Sequence, residues 1–215
     1  MERIALIDYG SGNLRSAEKA LQAVAKTLSA EREIVATADP DYIAAADRVV
    51  LPGVGAFRAC MDALKSRDGV IEAMTQAVQG RGAPFLGVCV GMQLLASRGL
   101  EFGVHEGLGW IPGEVKILAP ADPHAKVPHM GWNDLKMERE HPLFAGASAR
   151  TDMYFTHSYA MTPADPETTV ASVDHGGRFA AAVARANVAG VQFHPEKSQA
   201  NGLALIGRFL EWRPQ

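Results

Sequence analysis

The chain has 215 residues, 47% of them apolar, and a net charge of −3. That length and apolar share suit one substantial α/β core, and a mildly acidic chain with no run of Lys or Arg offers no electrostatic footprint for nucleic acid or an anionic membrane. The opening Met1-Glu2-Arg3-Ile4-Ala5-Leu6-Ile7-Asp8 reads as a strand rather than a signal peptide, no stretch could span a bilayer, and two cysteines make no disulfide framework, so a reduced, cytoplasmic setting is expected.

In chain order, short apolar runs alternate with longer amphipathic stretches: Ile4–Asp8 before Leu14–Leu28, Arg48–Leu51 before Ala56–Leu64 and Val70–Val78, and Phe85–Val88 before Met92–Ala96. This is the rhythm of βαβ units in a parallel sheet. After Gly99 the pattern becomes rich in strands and turns, with Gly113–Leu118, Met130–Lys136, Thr151–Ser158, Thr168–Val173, Arg178–Ala184 and Val188–Phe193 as strands, and a closing helix from about Gln199 to Trp212. Val173–Phe179 and Ala184–Val188 read as turns between antiparallel strands. No repeat or linker divides the chain, so a single domain over residues 1–215 is expected.

Cys89 lies in Pro84-Phe85-Leu86-Gly87-Val88-Cys89-Val90-Gly91-Met92-Gln93, a buried-strand pattern running through a glycine-flanked cysteine into a helix. Small residues on both sides are what a strained strand-to-helix turn needs if it is to lift a nucleophile above the sheet. A thiol at that place acts as a nucleophile once a helix N-terminus and a neighbouring imidazole favour its thiolate. His194 in Gly190-Val191-Gln192-Phe193-His194-Pro195-Glu196 is the imidazole, and in an extended segment Glu196 shares its face and orients it. Val90 N–H, at the start of the helix, is the first donor to an oxyanion. Asp8–Asn13, Pro52–Gly55, Cys89 and His194 all fall at the carboxyl ends of predicted strands, where an open α/β sheet gathers its reactive groups.

Other motifs carry less. Gly10-Ser11-Gly12 lacks the third glycine of a dinucleotide loop, because position 15 is Arg. His105, His124, His129, His141 and His175 have no metal-ligand spacing and read as surface or capping histidines; no metal and no cofactor are expected. A Cys60–Cys89 disulfide is disfavoured.

Gly87-Val88-Cys89-Val90-Gly91-Met92-Gln93 with Phe193-His194-Pro195-Glu196 resembles the triad-type, class I glutamine amidotransferases over the whole chain. Ile7–Leu14, Leu51–Phe57, Pro128–Asn133, Phe155–Tyr159 and Phe193–Ser198, in that order, narrow the resemblance to the glutaminase subunits of imidazole glycerol phosphate synthases, from histidine biosynthesis. The resemblance implies a flavodoxin-like α/β domain with a mixed, mostly parallel sheet flanked by helices. It implies a Cys89-His194-Glu196 triad that hydrolyses glutamine to glutamate and ammonia through a thioester, with a second oxyanion donor from Val54 and Gly55. It implies substrate contacts at Gly53, Gln93, Glu101, His157, Ser158 and Tyr159. Its implied partner is a (β/α)8-barrel, HisF-type cyclase in a 1:1 heterodimer, receiving ammonia through a closed passage, with Asn13, Met130, Trp132, Asn133 and Tyr154 near the interface. The readings weighed against this are the glutaminase of another synthase, such as pyridoxal phosphate synthase, a cysteine peptidase sharing the elbow, and a catalytically silent scaffold that binds a partner.

Overall fold

The computed structural model describes residues 1–148 and 150–214. Its strands are β1 (Glu2–Ile7), β2 (Arg32–Thr37), β3 (Arg48–Gly53), β4 (Phe85–Cys89), β5 (Arg98–Gly99), β6 (His105–Glu106), β7 (Gly113–Ile117), β8 (His129–Met137), β9 (Asp152–His157), β10 (Tyr159–Pro163), β11 (Thr169–Asp174), β12 (Arg178–Arg185) and β13 (Val188–Val191). The α-helices are α1 (Leu14–Ala25), α2 (Pro40–Ala45), α3 (Phe57–Lys65), α4 (Val70–Thr75), α5 (Val90–Gln93) and α6 (Gln199–Glu211).

Among the described residues nine strands form the main sheet in the order β2-β1-β3-β4-β13-β12-β11-β8-β9. Pairing is parallel from β2 across to β13 and antiparallel from β13 to β9, so the sheet is mixed in equal halves rather than mostly parallel. β3, β4 and β13 are buried at every residue, as strands covered on both faces must be, and so are Ile4–Ile7 of β1. α1 covers one side through Ala17, Ala20, Leu21, Val24 and Ala25, and α6 joins it through Leu205, Ile206, Phe209 and Leu210, the spacing of one apolar helical stripe. α3 buries Phe57, Cys60, Met61 and Leu64 at the same spacing.

The predicted elements are present with ends moved by a few residues. α1 stops at Ala25 rather than Leu28, and α4 passes at Gln76 into a wider π turn that closes at Gly80. Among the strands and α-helices, β2, α2, β5, β6 and β10 lie where the sequence pattern marked no element. β2 is an edge strand whose six residues are all half-buried, and β10 leaves the main sheet for a smaller one, ordered β10-β7-β5-β6. Ser158 is the joint between β9 and β10, so the predicted strand through Ser158 ends there and the chain changes sheets.

This topology sets four neighbouring parallel strands side by side, β1, β3, β4 and β13, with their carboxyl ends at one edge. Residues from positions 8 to 198 of the chain meet there.

Candidate active site

Cys89 closes β4 and caps α5 with φ 55° and ψ −112°, a left-handed backbone that side chains rarely adopt. Packing forces that shape. A Cβ on Gly87 would sit 2.5 Å from the Gly91 carbonyl oxygen, and one on Gly53 would sit 2.6 Å from the Gly91 nitrogen. Gly53 is the direct partner of Cys89 in the β3–β4 ladder, so the Pro52–Gly55 loop starts beside the sulfur.

His194 follows β13 and is 2% exposed. Its backbone is held from both directions: its N–H donates to the Tyr154 carbonyl at 2.9 Å, and the Ser198 hydroxyl donates to its carbonyl at 2.6 Å. Ser198 Oγ in turn accepts the Tyr154 N–H at 3.0 Å, tying β9 to the same turn. The His194 ring donates from Nδ1 to Glu196 Oε1 at 2.9 Å, which leaves Nε2 buried and without a hydrogen-bond partner among the described residues. Burial opposes charge on this ring, but the Cys89 sulfur and the Glu196 carboxylate more than offset it and push the imidazole up to about 9.

The His194–Glu196 contact forms by a different backbone route from the expected one. Residues Pro195–Lys197 make a 3-10 turn with Pro195 at its first position, not an extended segment. The proline's fixed φ starts the turn, and the turn curls the carboxylate back onto the ring.

The Pro52–Gly55 loop is braced from beneath. Tyr9 donates its hydroxyl to the Pro52 carbonyl at 2.8 Å, while Ser11 Oγ and Cys60 Sγ donate to the Val54 carbonyl at 2.9 and 3.3 Å. Burial, then the nearby Cys60, drives the Tyr9 phenol well above its ordinary range, so it stays a donor. Ser11, the middle residue of the Gly10–Gly12 turn, thus supports this loop. Cys60 and Cys89 are both free thiols.

Gln93, one turn after Cys89, is buried; its Nε2 lies 2.9 Å from the Tyr159 carbonyl and 3.0 Å from Gln192 Oε1. Glu101 accepts the Phe57 N–H at 2.7 Å on one oxygen, capping α3 just beyond the loop. His157 donates to the Tyr159 carbonyl at 2.9 Å, and Ser158 accepts from Leu118 N–H. Asn13 opens α1 and lines a narrow crevice with Pro52, Gly53, Val54, His194 and Glu196.

Of the residues expected at a partner interface, Met130 and Trp132 are 64% and 49% exposed, and Trp132 packs edge-on against Tyr154, its cross-strand neighbour. Asn133 has the opposite phase in β8 and turns inward, its amide reaching His129 Nε2 and the Asp174 carbonyl. His129 departs from its sequence-based expectation. It is 3% exposed, stacked between Phe155 and His175, and hydrogen-bonded to His157 at 3.0 Å, so it is a core histidine rather than a surface or capping one. His141 does cap, accepting the Leu143 N–H.

Two buried polar residues beside Cys89 and His194 carried no assignment in the sequence reading. Gln192 is wholly buried with Nε2 3.8 Å from Cys89 Sγ, and Ser198 is the bridge described above. Gln192 did carry a signal: a lone amide within the predicted apolar strand Val188–Phe193 must find a partner.

No helix among the described residues is long and apolar enough to cross a membrane, and no cluster of His, Cys, Asp and Glu among them is arranged to hold a metal ion. The family Glutamine amidotransferase class-I matches the chain over residues 5–211. An imidazole glycerol phosphate synthase subunit HisH from Caulobacter vibrioides is 62% identical over 214 residues, 100% of both chains. The HisH subunit of Rhodospirillum rubrum is 55% identical, over 99% of this chain and 100% of the relative. Among solved structures, a glutamine amidotransferase superposes with a TM-score of 0.70 over 96% of this chain and 97% of the other at 16% identity. A glutamine amidotransferase from Thermotoga maritima does so with a TM-score of 0.61 over 91% and 76%, also at 16% identity. At that identity the two structures bear on the fold alone.

Proposed function

The chain belongs to the class-I glutamine amidotransferases, among the HisH subunits of imidazole glycerol phosphate synthase, and from that premise we propose how its own residues carry out glutamine hydrolysis. The chain is the glutaminase subunit of that synthase, acting in histidine biosynthesis. The observation that carries the residue assignment is the meeting of Cys89, strained at the end of β4, with the His194–Glu196 pair at the end of the adjoining β13.

Cys89 as thiolate attacks the side-chain amide carbon of glutamine. His194, cationic and held by Glu196, gives its proton to the departing ammonia. Water then adds to the thioester with His194 as base, and glutamate leaves. Val90 N–H and the Val54–Gly55 segment stabilise the tetrahedral oxyanion, each such donor contributing about 10²–10³ in rate. The pairing of Gly53 with Cys89 supports this, because it starts that segment beside the sulfur. Gln93 has committed its NH2 to Tyr159 and Gln192, so its carbonyl oxygen and the second oxygen of Glu101 suit the substrate ammonium. The backbone at His157-Ser158-Tyr159 and Gly53 suits the carboxylate.

The HisH relatives are named as subunits of a synthase, which implies a partner subunit here. That partner is a (β/α)8-barrel, HisF-type cyclase in a 1:1 complex, docked over the carboxyl ends of the strands. Exposed Met130 and Trp132, with Tyr154 beneath the indole and Asn13 at the crevice, are its contacts on this chain; Asn133 acts from behind, through His129. A catalytic thiol kept free suits the cytoplasm. The test is glutamate release by the chain alone and with the cyclase and its nucleotide ligand, in parallel with Cys89→Ala. The partner and ligand should accelerate release, and Cys89→Ala should abolish it. Equal turnover with and without the partner would defeat the coupling, and residual turnover in Cys89→Ala would defeat the nucleophile.

A further inference from the structure

We propose that Gln192 is a further catalytic residue: its side-chain amide donates an N–H to the Cys89 sulfur and stabilises the thiolate from which the reaction starts and to which it returns. The inference rests on Cys89 being the nucleophile.

The two ends of a glutamine amide have nearly the same shape, so their orientation follows from what each can bond. The Tyr159 carbonyl can only accept, and the Gln93 atom 2.9 Å from it must therefore be the NH2 group. The same nitrogen lies 3.0 Å from the Gln192 side chain, whose facing atom must in turn be the carbonyl oxygen. Nothing is left for the Cys89 side of Gln192 except its own NH2, with the sulfur 3.8 Å away. One backbone carbonyl, through two amides, thus fixes a donor on the nucleophile.

A wholly buried primary amide is costly unless its hydrogens are placed, and a neutral sulfur is a weak acceptor. A thiolate is a much better one, since hydrogen bonds to ionised acceptors are about twice as strong as neutral ones. The contact therefore favours the ionised sulfur. His194 and Gln192 divide the work on that sulfur. The imidazole takes and returns a proton, whereas the amide has no proton to exchange and remains a donor throughout. In acylation the sulfur's electron pair forms the C–S bond as C–N breaks and His194 protonates ammonia. In deacylation water adds, its proton goes to His194, and the C–S pair returns to sulfur, where the Gln192 N–H receives it.

The test compares wild type with Gln192→Met, which keeps length and removes the donor, and Gln192→Glu, which keeps the oxygen facing Gln93 and turns a second oxygen toward the sulfur. Alkylation of Cys89 by iodoacetamide should be about ten-fold slower at pH 7 in Gln192→Met, with the rate at high pH, where every thiol is ionised, unchanged. Gln192→Glu should be slower still at pH 7. In the complex with the cyclase, kcat for glutamate release should fall by about ten-fold or more in both variants, with KM unaltered in Gln192→Glu, which keeps the oxygen that holds Gln93. An alkylation ratio between pH 7 and high pH equal to that of wild type, in either variant that folds, overturns the proposal. Absence of glutamate release by the wild-type complex would instead remove the reading of Cys89 itself.

Discussion

Gly91 packs so tightly against Leu51 that a Cβ on it would lie 1.9 Å from the Leu51 carbonyl oxygen. The start of α5 is thereby pressed onto β3, and the turn carrying Cys89 has one shape available to it. The backbone strain at Cys89 is held by this contact and by the close approach of Gly87 to the Gly91 carbonyl, where a Cβ would lie 2.5 Å away.

Gly91→Ala must move β3 or α5, because the atom it meets is backbone and cannot rotate away. The expected loss is at least about 3 kcal/mol of stability, read as a lower midpoint in urea unfolding. Glutaminase activity should fall further than the remaining folded fraction accounts for, since Val90 N–H and Cys89 move together.

Glu196→Gln removes a carboxylate that raises the His194 pKa. The wild-type rate should fall as pH passes about 9, where the imidazolium that protonates ammonia is lost. In Glu196→Gln that basic limb should move to lower pH, and kcat should drop by about 10²–10⁴-fold. The sign for stability agrees: a histidine raised above its unfolded value contributes stability that is complete below about 6.5 and lost as pH rises through about 9. A pH–rate profile of both proteins with the cyclase checks the limb.

His129 and His157 behave in the opposite sense. Burial, then neighbouring histidines, lowers His129 to about 3. Burial also lowers His157 to about 4, partly opposed by its bond to the Tyr159 carbonyl. Both are neutral in the folded chain, so below about 6.5 the unfolded chain binds more protons and stability falls as pH drops toward those values. The thermal midpoint should fall steeply between pH 6.5 and 4. His129→Phe keeps the stack on Phe155 and removes one titrating ring, so its slope should be shallower. At neutral pH it should cost about 1–3 kcal/mol, because the His157 nitrogen loses its donor.

Arg48 is 2% exposed and donates to the Phe209 and Trp212 carbonyls at 3.0 and 2.8 Å, closing the C-terminus of α6 onto β3. The second terminal nitrogen of the same guanidinium, Nη2, lies 3.8 Å from Glu2 Oε1. Arg48→Met should cost about 3 kcal/mol, by leaving those two carbonyls without their donor while Glu2 keeps Arg32 and Arg213, and should leave KM for glutamine unchanged. Urea unfolding and steady-state kinetics separate the two effects.

The parallel half of the sheet was legible because β1, β3, β4 and β13 are apolar on both faces, and unbroken apolar runs are their signature. β2 was not, since an edge strand with every residue half-buried has neither an apolar run nor clean alternation. β10 was hidden by Ser158, where one extended stretch changes sheets without any turn residue to mark it. Cys89 and His194 stood out because each carries a local backbone demand, glycines around one and proline after the other. Gln192 stood two residues from His194, but its partner Cys89 is 103 residues away, and no local pattern reports a contact of that range.

The sequence by itself singled out Cys89, His194 and Glu196 and the apolar strands that lead to them, because glycine, proline and apolar runs act on the backbone within a few residues. Only the tertiary structure decided which way His129 and Asn133 face, how a 3-10 turn brings Glu196 to His194, and which end of the Gln192 amide meets the sulfur. Those outcomes depend on hydrogen-bond partners and on packing from distant strands. They exist only once β4, β9 and β13 have been brought together.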